Sequence, residues 1–85
     1  MTEFDYIITD PIGLHARPAG MLVKKAKNYA SRVTIAANGR ECDATRLMSL
    51  MAMCIRTGAA VTVRIEGPDE ETCAEELKTF FAENL

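Results

Sequence analysis

A short segment near the N-terminus contains the residues best suited to chemistry. It holds His15, the single histidine of the chain, followed by Arg17 two residues later and by Pro18. An imidazole nitrogen is a nucleophile that can carry a phosphoryl group, and a guanidinium can bind that group through two charge-assisted hydrogen bonds. The candidate reaction is therefore transfer of a phosphoryl group to and from His15.

The residues after His15 predict a helix that begins at this segment. Apolar residues recur at helical spacing from about Ala16 to Tyr29. Pro18 suits the first turn, where its missing N–H removes no intrahelical bond. The first N–H groups of a helix lack acceptors and carry partial positive charge. We therefore expect the backbone donors of Ala16 and Arg17 to bind an anion carried by His15.

Simpler interpretations of the same residues stay open at this point. His15 could be only a cap or a solvated side chain, and Arg17 could form an ion pair with Asp10. Metal binding is disfavoured, because there is no second histidine and no carboxylate pair at ligand spacing beside His15. Base catalysis is disfavoured too, because no orienting carboxylate is evident. We expect neither a metal nor a cofactor.

The size and charge of the chain limit the classes of function. Its 85 residues make one domain, 1–85, with 48% hydrophobic and 26% charged residues. The net charge of −2 gives no global attraction to nucleic acid, whose binding domains are normally basic. No apolar run approaches the roughly 18–20 residues needed to cross a bilayer. We expect no nucleic-acid partner and no membrane insertion.

The N-terminus and the cysteines indicate a cytoplasmic protein. Met1 to Glu3 lack the basic and apolar regions of a signal peptide. Cys42, Cys54 and Cys73 are odd in number, far apart and without C-x-x-C spacing. We expect them to be reduced and mostly buried thiols.

The hydrophobic pattern predicts the element order β-α-β-β-α-β-α. Asn38-Gly39 is the strongest hairpin signal, and Asp69 is expected to cap the last helix. Alternating strands with a hairpin favour an α+β fold, in which helices cover one face of an antiparallel sheet. Beyond the first helix, the expected strands are at 3–9, 33–37, 40–43 and 61–65, and a helix is expected at about 46–56, ended by Gly58. The last helix is expected to carry on its inner side Cys73, Leu77, Phe80, Phe81 and, at its end, Asn84.

The predicted second helix is more apolar than one buried face requires. A helix packed on one side needs an apolar stripe of about 100° or somewhat more. The surplus should be exposed as an interaction surface, for which methionine suits several partners. The alternative is a helix buried on both sides. The apolar residues concerned are Leu47, Met48, Leu50, Met51, Met53, Cys54 and Ile55.

Four features together carry a resemblance that covers nearly the whole chain. They are GLHARPAG at 13–20, Asn38-Gly39-Arg40, LMSLM at 47–51 and Gly58. With the element order, they make the chain similar to the HPr family, the histidine-containing phosphocarriers of the bacterial phosphoenolpyruvate-dependent sugar phosphotransferase system.

The resemblance implies both a fold and a function. The fold is an open-faced β-sandwich, a four-stranded antiparallel sheet covered on one face by three helices. His15 would be phosphorylated on Nδ1 by phospho-enzyme I and would pass the group to the IIA domain of a sugar permease. Arg17 would stabilise the phosphoryl group. The protein would be a monomeric carrier and not a catalyst. The family's partner surface matches Gly20, Met21, Leu47, Met48 and Met51, with a basic rim at Lys24 and Lys27.

One departure from the family pattern bears on regulation. Many members carry a serine, phosphorylated by a regulatory kinase, where this chain has Arg46. Arginine cannot accept that phosphate, so we expect no serine-dependent regulation at this position. Arg46 is also a poor N-cap, and Thr45 or Asp43 is expected to substitute. Ile12, where a small polar residue is common, is a lesser departure within the loop.

Two other functions are compatible with the same resemblance. One is a regulatory binding module that docks on transcription factors or metabolic enzymes through the methionine-rich helix. His15 and Arg17 argue against it, because some such relatives have lost the histidine. The other is a carrier in a nitrogen-related or other non-sugar phosphotransfer branch.

Overall fold

The computed structural model describes all residues, 1–85, and contains four strands and three helices. In chain order the elements are β1 (Thr2–Ile7), α1 (Ala16–Ala26), β2 (Arg32–Ala37), β3 (Arg40–Asp43), α2 (Leu47–Ala52), β4 (Ala60–Glu66) and α3 (Glu70–Asn84).

The strands form one sheet in the order β1-β4-β2-β3, and every neighbouring pair is antiparallel. The strand β4 lies between β1 and β2, so that Val63 is paired with Phe4 on one side and with Ile35 on the other. The helices cover one face of the sheet. The predicted α+β open-faced sandwich, with its β-α-β-β-α-β-α order, is confirmed.

The core lies between the sheet and the helices. Alternate residues of β2 and β4 are buried, as the two-residue period of a strand requires. Phe81 of α3 packs edge-to-face against Phe4, Tyr6 and Phe80, with ring centroids 5.9, 5.5 and 6.0 Å apart. The opposite face of the sheet is polar. There Arg64 forms an ion pair with Glu41 at 3.0 Å.

The hairpin between β2 and β3 has the turn that the sequence predicts. Asn38 and Gly39 have φ angles of 54° and 75°. Two consecutive positive φ angles match the twist of the flanking strands. Asparagine followed by glycine accepts this conformation at low cost, so the hairpin signal is confirmed.

Three element boundaries differ from the prediction. The first strand is Thr2–Ile7 and not 3–9, and the first helix ends at Ala26, before Tyr29. The second helix is only Leu47–Ala52. It ends early because Cys54 has φ of 52°, which is incompatible with a right-handed helix. The apolar pattern continues to Ile55, but the residues after Ala52 leave the helix.

Asp69 lies at the N-cap position of α3, but its carboxylate does not cap the helix. Instead it accepts hydrogen bonds from the N–H groups of Ala30 and Ser31, both at 2.9 Å, and from the Ser31 hydroxyl. The expected cap is therefore wrong. The carboxylate ties the connection between α1 and β2 to the start of α3, because three donors outside the helix compete for it.

This cluster predicts a loss of stability in acid. The hydrogen bonds from the Ser31 side chain and from the Ala30 N–H hold the pKa of Asp69 below its usual 3.8. A carboxyl group whose pKa is lower in the folded protein than in the unfolded chain stabilises the fold at pH values above its unfolded-state pKa. This stabilisation is lost as the pH falls through the folded-state pKa. In urea titrations, we expect wild type to be more stable than Asp69→Asn near neutral pH, and we expect that difference to shrink below about pH 4.

Glu75→Gln is the matched control for this experiment. Glu75 is exposed on α3, and its side chain makes no ion pair. The difference between Glu75→Gln and wild type in the free energy of unfolding should therefore change much less over the same pH range. A pH-independent difference for Asp69→Asn would show that the carboxylate charge does not contribute.

The cysteines are free, but they differ in exposure. Cys73 is buried and Cys42 is half-buried, whereas Cys54 is exposed, so the expectation of mostly buried thiols is wrong for Cys54. Burial raises the pKa of the Cys73 thiol to about 11, which keeps it protonated at neutral pH. None of the three helices combines the length and the hydropathy that crossing a bilayer requires.

Candidate functional site

The loop that precedes α1 is held in place by residues distant in sequence. The N–H groups of Thr9 and Asp10 donate to the Leu85 carbonyl oxygen at 2.6 and 2.8 Å. On the other side, the Leu14 N–H donates to the Ile55 carbonyl oxygen at 2.9 Å. The residues before His15 are thus fixed by two separate parts of the chain.

Gly13 allows this loop to lie directly against the segment after α2. It has φ of 82°, and a Cβ atom at this position would lie 2.7 Å from the Ile55 carbonyl oxygen and 2.8 Å from Arg56 Cα. Any side chain here would collide with backbone atoms. Glycine is therefore required by both the φ angle and the close approach.

His15 is the N-cap residue of α1, with extended backbone angles, φ −108° and ψ −176°. Its carbonyl oxygen accepts the first intrahelical bond, from the Ala19 N–H at 2.9 Å. Its imidazole makes no capping bond and is partly exposed. The interpretation of His15 as only a side-chain cap is therefore wrong, and its ring nitrogens make no hydrogen bond within the protein.

The first amides of α1 have no acceptor within the protein. The N–H groups of Ala16 and Arg17 make no hydrogen bond, and both residues are exposed. Pro18, which is buried, contributes no N–H. Two free donors thus lie at the positive end of the helix, beside the imidazole. An anion attached to that ring would find the donors and the dipole that anions bind at helix N-termini.

Arg17 is also free of internal partners. The ion pairs of the structure join Arg64 to Glu3 and Glu41, and the N-terminal amine to Glu70. The Asp10 carboxylate instead accepts the Ile12 N–H at 2.8 Å. The alternative that Arg17 pairs with Asp10 is therefore wrong. The guanidinium remains available for an anion.

Exposed apolar side chains lie on α1 and α2, two helices that pack against each other. We call Met21, Leu47, Met48 and Met51 the methionine patch. Their exposed fractions are 40%, 40%, 80% and 36%. Among the other apolar residues of the predicted helix, Leu50, Met53 and Ile55 are buried. The expected surplus of apolar surface is confirmed, and the alternative of a helix buried on both sides is wrong.

The other residues of the expected partner surface, Gly20, Lys24 and Lys27, lie on α1 or at its C-cap. Gly20 is half-buried, and a Cβ atom there would have no neighbour within 4 Å. Lys24 and Lys27 are exposed, and neither forms an ion pair. Uncompensated positive charge therefore follows Met21 along α1 and at its C-cap.

Arg46 is the exposed N-cap residue of α2, and its side chain makes no capping bond. The expected substitutes do not cap the helix either. The Asp43 carboxylate accepts the N–H of Thr45 at 2.8 Å and its hydroxyl at 2.6 Å. These bonds lower the pKa of Asp43, the hydroxyl contributing most. Asp43 and Thr45 stabilise the turn before α2, and the prediction that one of them caps it is wrong.

The sequence did not indicate the role of the segment 55–57. Ile55 and Arg56 were predicted to be the last residues of the second helix. The structure instead places them against Gly13 and Leu14. A non-glycine residue with positive φ, Cys54, causes this change. No residue type near position 54 signals it.

Comparisons with known proteins agree with this fold. The family model described as "PTS HPr component phosphorylation site" matches residues 2–83. A phosphocarrier protein HPr of Mycoplasma capricolum is 41% identical over 78 residues, which cover 92% of this chain and 88% of the relative. A phosphocarrier protein HPr of Xylella fastidiosa is 36% identical over 81 residues, which cover 95% and 91%.

A solved structure leads to the same family. The histidine-containing phosphocarrier protein of a mycoplasma superimposes with a TM-score of 0.93 and 38% sequence identity, over 96% of this chain and 93% of that one. Agreement in sequence and in fold over nearly the full length assigns the family. The chain belongs to the HPr family, the phosphocarriers of the phosphotransferase system.

Proposed function

We propose that this protein accepts a phosphoryl group on Nδ1 of His15 from phospho-enzyme I and passes it to the IIA domain of a sugar permease. The family assignment supports a phosphocarrier of the phosphotransferase system. Such a carrier is a substrate of two other proteins. It therefore needs a nucleophile, a means of stabilising the phosphoryl group and a surface for docking, but no active site of its own.

One observation carries the proposal. An imidazole without a capping bond lies beside two backbone N–H groups, of Ala16 and Arg17, that have no acceptor in the protein. A phosphoryl group brings several acceptor oxygens and most of two negative charges. It would satisfy these donors without any rearrangement of the helix. The phosphorylated state would then cost little reorganisation, which suits a carrier that must both accept and release the group.

We assign Arg17 the role of neutralising the transferred group. Its guanidinium is exposed and has no ion pair to break. Charge-assisted hydrogen bonds to phosphate oxygens are roughly twice as strong as neutral ones. Because guanidinium keeps its charge at any physiological pH, this assistance does not depend on proton uptake.

The direct test is an incubation with enzyme I, phosphoenolpyruvate and Mg²⁺. We expect one acid-labile phosphate per chain, because phosphohistidine hydrolyses in acid whereas phosphoserine does not. A second incubation with the serine kinase of phosphotransferase systems should leave the protein unlabelled, because position 46 is arginine. The absence of acid-labile label with active enzyme I would refute the proposed function.

We propose the methionine patch, with Gly20, Lys24 and Lys27, as the surface that docks both partners. Exposed contiguous apolar surface usually marks an interaction site, and methionine adapts to more than one partner. The uncompensated lysines would favour acidic partner surfaces and speed their encounter. We also propose that the protein acts in the cytoplasm, which its three free cysteines support, and that it acts as a monomer.

Met48→Glu should impair phosphorylation by enzyme I without unfolding the protein. Met48 is 80% exposed, so its replacement removes little core packing. We expect Met48, the most exposed residue of the patch, to act as a hot spot, whose loss costs about 2 kcal/mol or more and corresponds to a roughly thirtyfold rise in KM. Steady-state kinetics with enzyme I at varied carrier concentration would measure this change.

Ile7→Glu provides the matched control for Met48→Glu. Ile7 is also an exposed apolar residue, at 53%, but it lies in β1, where it alternates with the core-facing Tyr6 and so belongs to the face of the sheet that the helices do not cover. Its KM should stay within about twofold of wild type, because surface changes outside an interface have small effects. Equal KM changes in the two variants would argue against docking at the patch.

A further inference from the structure

The segment after α2 contacts the loop that carries His15, although it lies outside the sequence motif around that residue. Cys54, with φ of 52°, turns the chain out of the helix. The next residue, Ile55, accepts the Leu14 N–H at 2.9 Å. On the same segment, the Thr57 hydroxyl donates to the Asp10 carbonyl oxygen. The loop that carries His15 is thus bonded to both residues that flank Arg56.

The Cα atom of Arg56 lies close enough to His15 for the arginine side chain to reach the imidazole. Its Cα would lie 2.8 Å from a Cβ atom built on Gly13, so the two backbones are in contact. Consecutive Cα atoms are about 3.8 Å apart, so Gly13 and His15 are separated by at most about 7.6 Å between Cα atoms. A long, flexible arginine side chain can span such a separation.

Nothing in the protein engages the Arg56 guanidinium. The residue is exposed, and its side chain forms neither an ion pair nor a hydrogen bond. The nearby Asp10 carboxylate bonds the Ile12 N–H. The Arg56 backbone thus contacts the loop that carries His15, and its permanently charged side chain has no internal counter-ion.

We propose that Arg56 is a second cation of the phosphoryl site, which hydrogen-bonds the phosphoryl oxygens once the group is on His15. The proposal rests on the proposed function of His15. Arg17 would approach the group from α1 and Arg56 from the segment 55–57, so that two guanidinium groups share its charge.

Arg56 changes no bond in the transfer step. A lone pair of the imidazole nitrogen attacks phosphorus, and the bond from phosphorus to the donor protein breaks, its electron pair leaving with the donor. Delivery to the next protein reverses these roles. Guanidinium keeps its protons throughout and contributes only hydrogen bonds and charge. Its removal should therefore weaken acceptance of the phosphoryl group without changing the reaction.

The test compares Arg56→Ala, Arg56→Lys and the control Arg40→Ala, each equilibrated with enzyme I and phosphoenolpyruvate. Arg40 is an exposed arginine of the β2–β3 hairpin. The measurements are the equilibrium ratio of phosphorylated to free carrier, the ³¹P NMR shift of the isolated phosphoprotein and the KM for enzyme I.

For Arg56→Ala we expect an about tenfold loss in the equilibrium ratio, equivalent to about 1.4 kcal/mol, and a moved ³¹P resonance. Arg56→Lys should recover part of the loss, and Arg40→Ala should match wild type. Wild-type equilibrium and ³¹P shift in Arg56→Ala would overturn the proposal while leaving His15 transfer intact. A raised KM alone would do the same, since it would make Arg56 a partner contact. Failure of wild type to accept phosphate would overturn both proposals.

Discussion

Replacing His15 by alanine should abolish the acid-labile phosphorylation by enzyme I. His15 is the single histidine of the chain, so no other imidazole can take its place. The free amides of Ala16 and Arg17 would remain, but they bind an anion and cannot form a bond to phosphorus. We therefore expect label at background level, measured by incorporation of ³²P from phosphoenolpyruvate.

The same variant should keep its fold, which makes the result interpretable. The His15 side chain is partly exposed and makes no capping bond, so little packing is lost. Substitutions of this kind usually change stability by about 0.5 kcal/mol or less. The urea midpoint should therefore match that of wild type. Wild-type labelling of a folded His15→Ala protein would show that the phosphoryl group resides elsewhere.

Gly13→Ala should combine a large loss of stability with a large loss of phosphorylation. A left-handed non-glycine residue alone costs about 1–3 kcal/mol. Here the added methyl group would also lie 2.7 Å from the Ile55 carbonyl oxygen and 2.8 Å from Arg56 Cα. Relief of this collision must move the loop away from the segment 55–57. We expect a total loss of about 3 kcal/mol or more, measured by urea denaturation.

Gly58→Ala separates the cost of the positive φ angle from the cost of the collision with the segment 55–57. Gly58 has nearly the same φ, 87° against 82° for Gly13, but nothing lies within 4 Å of a Cβ atom built on it. It should show only the cost of the backbone conformation and should accept phosphate at the wild-type rate. If Gly13→Ala were no more destabilising and no slower than Gly58→Ala, the contact between the loop and the segment 55–57 would have no functional role.

Local pattern was sufficient to predict most of the fold. The alternation of Val33 with Ile35 and of Val61 with Val63 gave the inner strands, and Asn38-Gly39 gave the hairpin. These signals lie within a few residues of one another. They reflect the period of a strand and the conformational freedom of a turn, which are properties of the local sequence.

What was missed depends on contacts between distant residues. Asp69 had the residue type of a cap, but the donors of Ala30 and Ser31, nearly forty residues away, bind its carboxylate. The early end of α2 follows from a positive φ at Cys54, which its residue type does not favour. At the site, the motif indicated His15 and Arg17. Arg56 is a candidate only because the fold brings the segment 55–57 against the loop before His15.

The placement of β4 between β1 and β2 bears on how the protein is made. During synthesis β4 is the last of the four strands to leave the ribosome, because it spans residues 60–66. Before then β1 has no partner, and only the β2–β3 hairpin can pair. Assembly of the sheet must therefore wait until most of the chain has been translated. His15 of a nascent chain would leave the ribosome long before the loop around it can form. We therefore expect the chain to accept a phosphoryl group only after the fold is complete.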